Sequence, residues 1–193
     1  LRYDGSSRFK TNRWDMFWGV SAGWRITEEA FMKNQSIIDD LKLRASYGVV
    51  GNQSGIDRYE GQQLYNFTSQ SGALLGDGKA TIINTNGKIA SSGRAWERIH
   101  NYNLGLEFTA LKNKLTGSVD LFKKKNNNML ITITYPGILG DNAGYSNSGK
   151  FESHGFEGVL DWRDKIGSVG YNIGGTFTFY DNELTDIGAT SVL

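Results

Sequence analysis

The sequence predicts an all-β chain: an antiparallel up-and-down meander forming part of a large transmembrane β-barrel. Three observations carry this expectation. Six segments alternate apolar and polar residues with a period of two, the pattern of a strand wetted on one face only. Glycine is abundant, at 25 of 193 residues, against a single proline; strands joined by turns have this bias, because proline removes ladder donors. The connections between segments alternate short and long, as in outer-membrane barrels with short periplasmic turns and long extracellular loops.

The first segment, residues 17–26, sets Trp18, Val20, Ala22, Trp24 and Ile26 on one face. Thr27, with Glu28 and Glu29 after it, predicts a short helix over 28–33, since threonine caps helix starts and early acids suit the helix dipole. The second segment, 41–49, opposes Leu41, Leu43, Ala45, Tyr47 and Val49 to Lys42, Arg44 and Ser46. A long connection, 50–100, follows. In the third segment, 101–109, Tyr102, Leu104, Leu106 and Phe108 oppose Asn101, Asn103, Glu107 and Thr109. A turn over 110–114 leads to the fourth, 115–122, with Leu115, Val119 and Leu121 against Thr116, Ser118 and Asp120. The run Lys123-Lys124-Lys125 then opens a second long connection, 123–154, as a solvated loop entry, with contact to lipid phosphates of the outer leaflet as the alternative. The fifth segment, 155–162, carries Phe156, Leu160 and Trp162 against Glu157 and Asp161; the sixth, 171–180, carries Tyr171, Ile173, Phe177 and Phe179 against Asn172, Thr176 and Thr178.

The apolar faces carry two sets of aromatics. Trp24, Phe108, Trp162 and Tyr171 fall at the short-turn end, and Trp18, Tyr47, Tyr102, Phe156 and Phe179 near the long-loop end. Two such rows separated by smaller aliphatics match the interfacial girdles of a lipid-facing wall. A soluble β-sandwich acting as a carbohydrate-binding module is the alternative, since it hides the same face under a second sheet. Six strands do not close a barrel, whose smallest common form has about eight, so a barrel reading makes these strands part of a larger wall.

Composition removes several functions. With 21 basic and 20 acidic residues, net +1, there is no cationic excess for a nucleic-acid partner. The absence of cysteine excludes disulfides, thiolate metal sites and cysteine nucleophiles. No apolar run reaches the roughly 18 residues of a membrane-spanning helix, a test that β-strands escape. Ser153, His154 and Asp120 or Asp161 lack the Gly-x-Ser-x-Gly elbow that would support a hydrolase. No enzyme activity, metal or cofactor is expected. The polar face of Lys42, Arg44, Asn103, Glu107, Asp120, Glu157 and Asp161, with Thr116 and Thr176, is what a barrel lumen would display. In the loop 50–100, Tyr59, Tyr65, Phe67 and Trp96 are candidates to stack on sugars or to pack against a lid protein, and equally to form the loop's own small core.

Specific strings add to this pattern. Arg2-Tyr3-Asp4-Gly5-Ser6-Ser7-Arg8-Phe9 precedes Arg13-Trp14 and Ser21-Ala22-Gly23-Trp24-Arg25-Ile26-Thr27-Glu28-Glu29. Leu41-Lys42-Leu43-Arg44-Ala45-Ser46-Tyr47-Gly48 leads to Gly51-Asn52-Gln53. Trp96-Glu97, Asn103-Leu104-Gly105-Leu106-Glu107 and Gly155-Phe156-Glu157 follow. In this order and spacing they closely resemble the C-terminal barrel portion of SusC/RagA-like TonB-dependent outer-membrane transporters of the Bacteroidota, over nearly the whole chain. The resemblance implies a barrel of about 22 strands around an internal plug, in the outer membrane of a Gram-negative cell. It implies import of oligosaccharides or peptides, a SusD-like surface lipoprotein as lid, and TonB as the source of energy. It makes residues 1–193 one partial barrel domain, with the plug domain and TonB box outside this stretch.

Overall fold

The computed structural model describes residues 1–56, 58–59, 62–69, 72–76, 78–85, 93–132, 138 and 144–188. Its strands are β1 (Arg2–Gly5), β2 (Trp14–Phe17), β3 (Gly19–Arg25), β4 (Ile38–Asn52), β5 (Tyr65–Thr68), β6 (Leu74–Leu75), β7 (Gly78–Lys79), β8 (Ile82–Thr85), β9 (Glu97–Ala110), β10 (Leu115–Thr132), β11 (Tyr145–Ile166) and β12 (Val169–Asp186). Six of them form one antiparallel sheet in the order β12-β11-β10-β9-β4-β3. Each strand of this sheet pairs with the one before it in the chain, once the small hairpins β5–β8 and β6–β7 in the β4–β9 connection are set aside. The architecture is therefore the expected up-and-down meander, and the alternating segments lie in it, the first of them through Gly19–Arg25 alone.

Three local expectations are corrected. Residues 28–33 form no α-helix but two short 3-10 turns, Ile26–Glu28 and Ala30–Met32. The Thr27 hydroxyl donates to Asp40 Oδ1 at 2.9 Å and accepts the Leu41 N–H at 3.4 Å, so it ties the turn to β4 and caps nothing. The first segment is split at Trp18: β2 pairs with β1, and β3 pairs with β4. The connection 123–154 is largely strand, because β10 runs on to Thr132 and β11 begins at Tyr145, paired through two irregularities near Met129. Polar residues on both faces, such as Lys123, Lys124 and Asn126, erase the alternation while leaving backbone pairing intact.

The opposite connections are tight. The β9–β10 turn holds Leu111, Lys112 and Asn113 at φ of 58°, 60° and 62°. It is pinned where the Asn113 N–H donates to Asp39 Oδ2 and the Leu111 N–H to Ile37 O, both at 2.8 Å. The β11–β12 hairpin turns at Gly167, whose φ of +63° suits glycine because no Cβ clashes there.

Register sorts the side chains into two faces. On the apolar face Trp24, Leu43, Leu106 and Val119 lie in one cross-strand row. No second sheet covers this face among the described residues: Val20, Leu104, Leu121, Leu160 and Phe177 stay exposed. A sandwich would bury them. The buried cluster is small and sits at the long-loop end, where Phe9, Phe17, Val49, Ile56 and Trp96 pack together.

The two aromatic rows run obliquely across the strands. With β9 as ruler, Trp24 on β3 is in register with Leu106, Phe108 lies two residues further on, and Trp162 on β11 is in register with Ala110, two further again. The upper row drifts the same way: Trp18 stands beside Val49, which is opposite His100; Tyr47 is opposite Tyr102; and Phe156 is in register with Leu104. Level rows that slip steadily against the hydrogen-bond register are the consequence of strands tilted to a common axis, as barrel closure requires.

Candidate functional site

The polar face brings seven sequence-predicted residues onto one wall. Lys42 is opposite Glu107, Ser46 opposite Asn103, and Arg44 opposite Gly105. Gly105 is opposite Asp120, Asp120 opposite Glu157, and Thr116 opposite Asp161. Since paired residues share a face, Lys42, Arg44, Asn103, Glu107, Asp120, Glu157 and Asp161 all point the same way.

An ion-pair ladder crosses three of the strands. Arg44 Nη2 donates to both Asp120 oxygens, at 2.8 and 2.9 Å. Its Nε lies 2.9 Å from Glu107 Oε1, and Lys42 Nζ 3.6 Å from Glu107 Oε2. Arg44 reaches across β9 to β10 because Gly105 has no side chain between them; a Cβ there would lie 2.9 Å from Arg44 Nη2 and against the Asp120 carboxylate. Two cations and two acids balance. Glu157 and Asp161 have no ion pair among the described residues, so this part of the wall is net acidic. Asp161 also lines a groove of about 340 Å³ with Asp40, Glu107, Thr109, Thr116 and Ser118.

A polar clasp closes the long-loop end. Glu97 is buried, and its Oε2 accepts from Asn52 Nδ2 at 2.7 Å and Asn126 Nδ2 at 3.3 Å, while Oε1 accepts the Leu130 N–H at 2.6 Å. Asn128 Nδ2 donates to Trp96 O at 2.7 Å, and Asn147 both donates to Ala95 O and accepts its N–H, at 3.0 and 2.9 Å. Residues 95–97 are thereby stitched across the tops of β10 and β11. Sequence reasoning missed this clasp; its trace was the Trp96-Glu97 string and the asparagines at 126, 128 and 147.

The loop candidates divide. Trp96 is 6% exposed, wedged between Phe9 and Phe17, with its Nε1–H donated to Arg13 O at 3.0 Å, so it packs the loop base and presents no surface. Tyr59, Tyr65 and Phe67 are exposed. Tyr65 and Phe67 share one face of the β5–β8 hairpin, with Ile83 opposite Phe67.

The lysine run is distributed between the faces. Lys123 and Lys125 both grip Glu152, at 2.8 and 2.7 Å, whereas Lys124 sits over the Phe122 ring on the other side. The hydrogen bonds from Lys123 and Lys125 hold the Glu152 carboxyl down at about 2. This carboxylate neutralises much of the cationic run. Ser153 and His154 are consecutive strand residues and point to opposite faces, with Asp120 sharing Ser153's side; no hydrolytic triad assembles.

A tilted meander with one charged, ion-paired face and one exposed apolar face bounded by two aromatic rows defines a segment of β-barrel wall. Residues 1–191 match the family model for the TonB dependent receptor-like β-barrel, and the chain belongs to that family. It is 31% identical over 194 residues to the TonB-dependent receptor SusC of Bacteroides thetaiotaomicron, covering 97% of this chain and 19% of that protein. It is 35% identical over 158 residues to the TonB-dependent receptor P39 of Formosa agariphila, covering 81% of this chain and 14% of the relative. Among solved structures, the RagAB peptide importer in its closed-closed state superposes with a TM-score of 0.82 at 27% identity, over 96% of this chain and 20% of that one. The open-open state gives 0.80 at 27% identity, over 93% and 19%. The chain thus spans between about a seventh and a fifth of the length of these proteins.

Proposed function

We propose that this chain is the barrel-wall and extracellular-loop portion of an outer-membrane, TonB-dependent importer of oligosaccharides or peptides. The observation that carries the reading is the two-faced sheet with its oblique aromatic rows, which suits lipid on one side and a solvated lumen on the other. Lys42, Arg44, Asn103, Glu107, Asp120, Glu157 and Asp161 line the lumen in this reading. The ladder among Lys42, Arg44, Glu107 and Asp120 stiffens the wall, and the spare carboxylates of Glu157 and Asp161 face an internal plug. Tyr59, Tyr65 and Phe67 lie on the extracellular side, where they meet cargo or a SusD-like surface lipoprotein. TonB drives transport through a plug and TonB box outside this stretch. The 31% identity to SusC and the likeness to a peptide importer support the class while leaving both cargo chemistries open. Uptake of labelled glycans and peptides by cells with and without the gene tests it. Loss of one cargo class on deletion, and on collapse of the proton gradient, is expected; unchanged uptake of every cargo would refute it.

A further inference from the structure

We propose that the cleft between the two short turns is a phosphate-binding site that holds the headgroup of an anionic phospholipid. The inference rests on the barrel reading above. The cleft measures about 530 Å³ and opens between the β9–β10 turn and the foot of the β11–β12 hairpin. Lys112, Lys114, Arg163 and Lys165 line it, against a single acid, Asp164. Lys114 binds Asp164 at 2.9 Å, so that pair cancels. Lys112, Arg163 and Lys165 have no ion pair and no side-chain hydrogen bond among the described residues, and three cations share the cleft without a balancing anion. A phosphodiester supplies that charge, with oxygens that suit both an arginine fork and lysine ammonium groups.

Position selects a lipid as the source. Tyr171, a member of the short-turn aromatic row, lines the same cleft and accepts the Trp162 Nε1–H at 3.4 Å. The cleft therefore begins where the lipid-facing belt ends. Beyond it the hairpin exposes Ile166 and Val169, by 74% and 67%; apolar residues beside cations are the composition of an interfacial segment. Arg163 and Lys165 leave β11 on the polar face, while Asp164 and Tyr171 leave their strands on the apolar one. The cleft thus wraps the rim of the wall, and the long cationic stems reach around it to the headgroup layer. At the opposite end, by contrast, Glu152 already occupies Lys123 and Lys125.

The test uses the whole barrel protein, stripped of lipid in mild detergent and titrated with phosphatidylglycerol or phosphatidylcholine, with bound lipid counted by native mass spectrometry. Wild type should prefer phosphatidylglycerol. Lys112→Gln/Arg163→Gln/Lys165→Gln should weaken that binding about a hundredfold, at about fivefold per cation, while Lys123→Gln/Lys125→Gln keeps it. A folded triple variant that retains phosphatidylglycerol like wild type would overturn the site alone. Displacement of the lipid by excess inorganic phosphate would assign the cleft to free phosphate, and tighter binding of a polyglutamate peptide would assign it to an acidic protein segment; either overturns the lipid occupant. Wild-type protein that stays in the aqueous phase and takes up neither lipid overturns the barrel reading itself.

Discussion

Gly105→Ala isolates the ion-pair ladder, because the ladder and the backbone predict opposite signs. Alanine in place of a mid-strand glycine stabilises by about 0.5–1 kcal/mol through lost chain entropy. At this position the new Cβ would lie 2.9 Å from Arg44 Nη2 and 3.0 Å from Nε, and would press on the Asp120 carboxylate. The guanidinium must then leave Asp120. A two-pronged charge-assisted contact of this kind contributes about 1.5–3 kcal/mol. The Arg44 side chain is 38% exposed and that of Asp120 13%, so screening places it toward the lower figure. The net expectation is a loss of about 1 kcal/mol. Reversible urea titration of the whole barrel in lipid vesicles, followed by tryptophan fluorescence, measures it. In an Arg44→Met background there is no guanidinium to displace, and the same substitution should become neutral or stabilising. A stabilising Gly105→Ala in the wild type, or an equal cost in both backgrounds, would refute the reasoning.

Further expectations concern lipid, sidedness and acid. Leu106→Arg should cost about 2–4 kcal/mol on folding into bilayers, as for a cation near the midplane of a barrel wall, whereas Glu107→Ala, on the opposite face, should cost well under half of that; equal small effects would reverse the faces. Protease added to intact cells should cut within 53–96 and spare Lys112 and Lys114, since exposed loops are nicked first; cleavage at Lys112 would invert the topology. Glu152 has a folded value near 2 against an ordinary 4.5, a lowered carboxylate. Its grip on Lys123 and Lys125 therefore stabilises fully above about pH 4.5 and fades as pH falls toward 2. Protection factors of the upper β10–β11 hairpin, corrected for the intrinsic pH dependence of amide exchange, should fall over that window in the wild type and stay flat in Glu152→Gln; identical profiles would contradict it.

How much of this was legible in the sequence follows from where polar residues lie. Between the aromatic rows one face is polar and the other apolar, so Leu104-Gly105-Leu106-Glu107 announces its strand and both of its faces. Above the upper row both faces are polar, and Lys123 to Asn126 read as loop although the backbone stays paired. The 3-10 turns near Thr27 were hidden because the Asp40 that captures its hydroxyl comes from the next strand. Seven wall residues could be placed on one face by parity alone, but not the ladder, which needs the register that sets Gly105 between Arg44 and Asp120. Trp96 reads from sequence either as a contact residue or as part of a loop core, and only Phe9 and Phe17, far away in the chain, decide for burial.

The central claim, lipid on one face and an aqueous lumen on the other, is tested most directly by spin-label accessibility along β9. The chain contains no cysteine of its own, so single cysteines at positions 101–109, placed in a reconstituted barrel with any cysteine elsewhere replaced, carry the nitroxides. Labels at Tyr102, Leu104, Leu106 and Phe108 should collide with oxygen dissolved in the bilayer. Those at Asn101, Asn103, Glu107 and Thr109 should collide with a water-soluble nickel chelate, giving two out-of-phase curves of period two. Curves in phase, or chelate access at Leu104 and Leu106 equal to that at Asn103 and Glu107, would contradict the account.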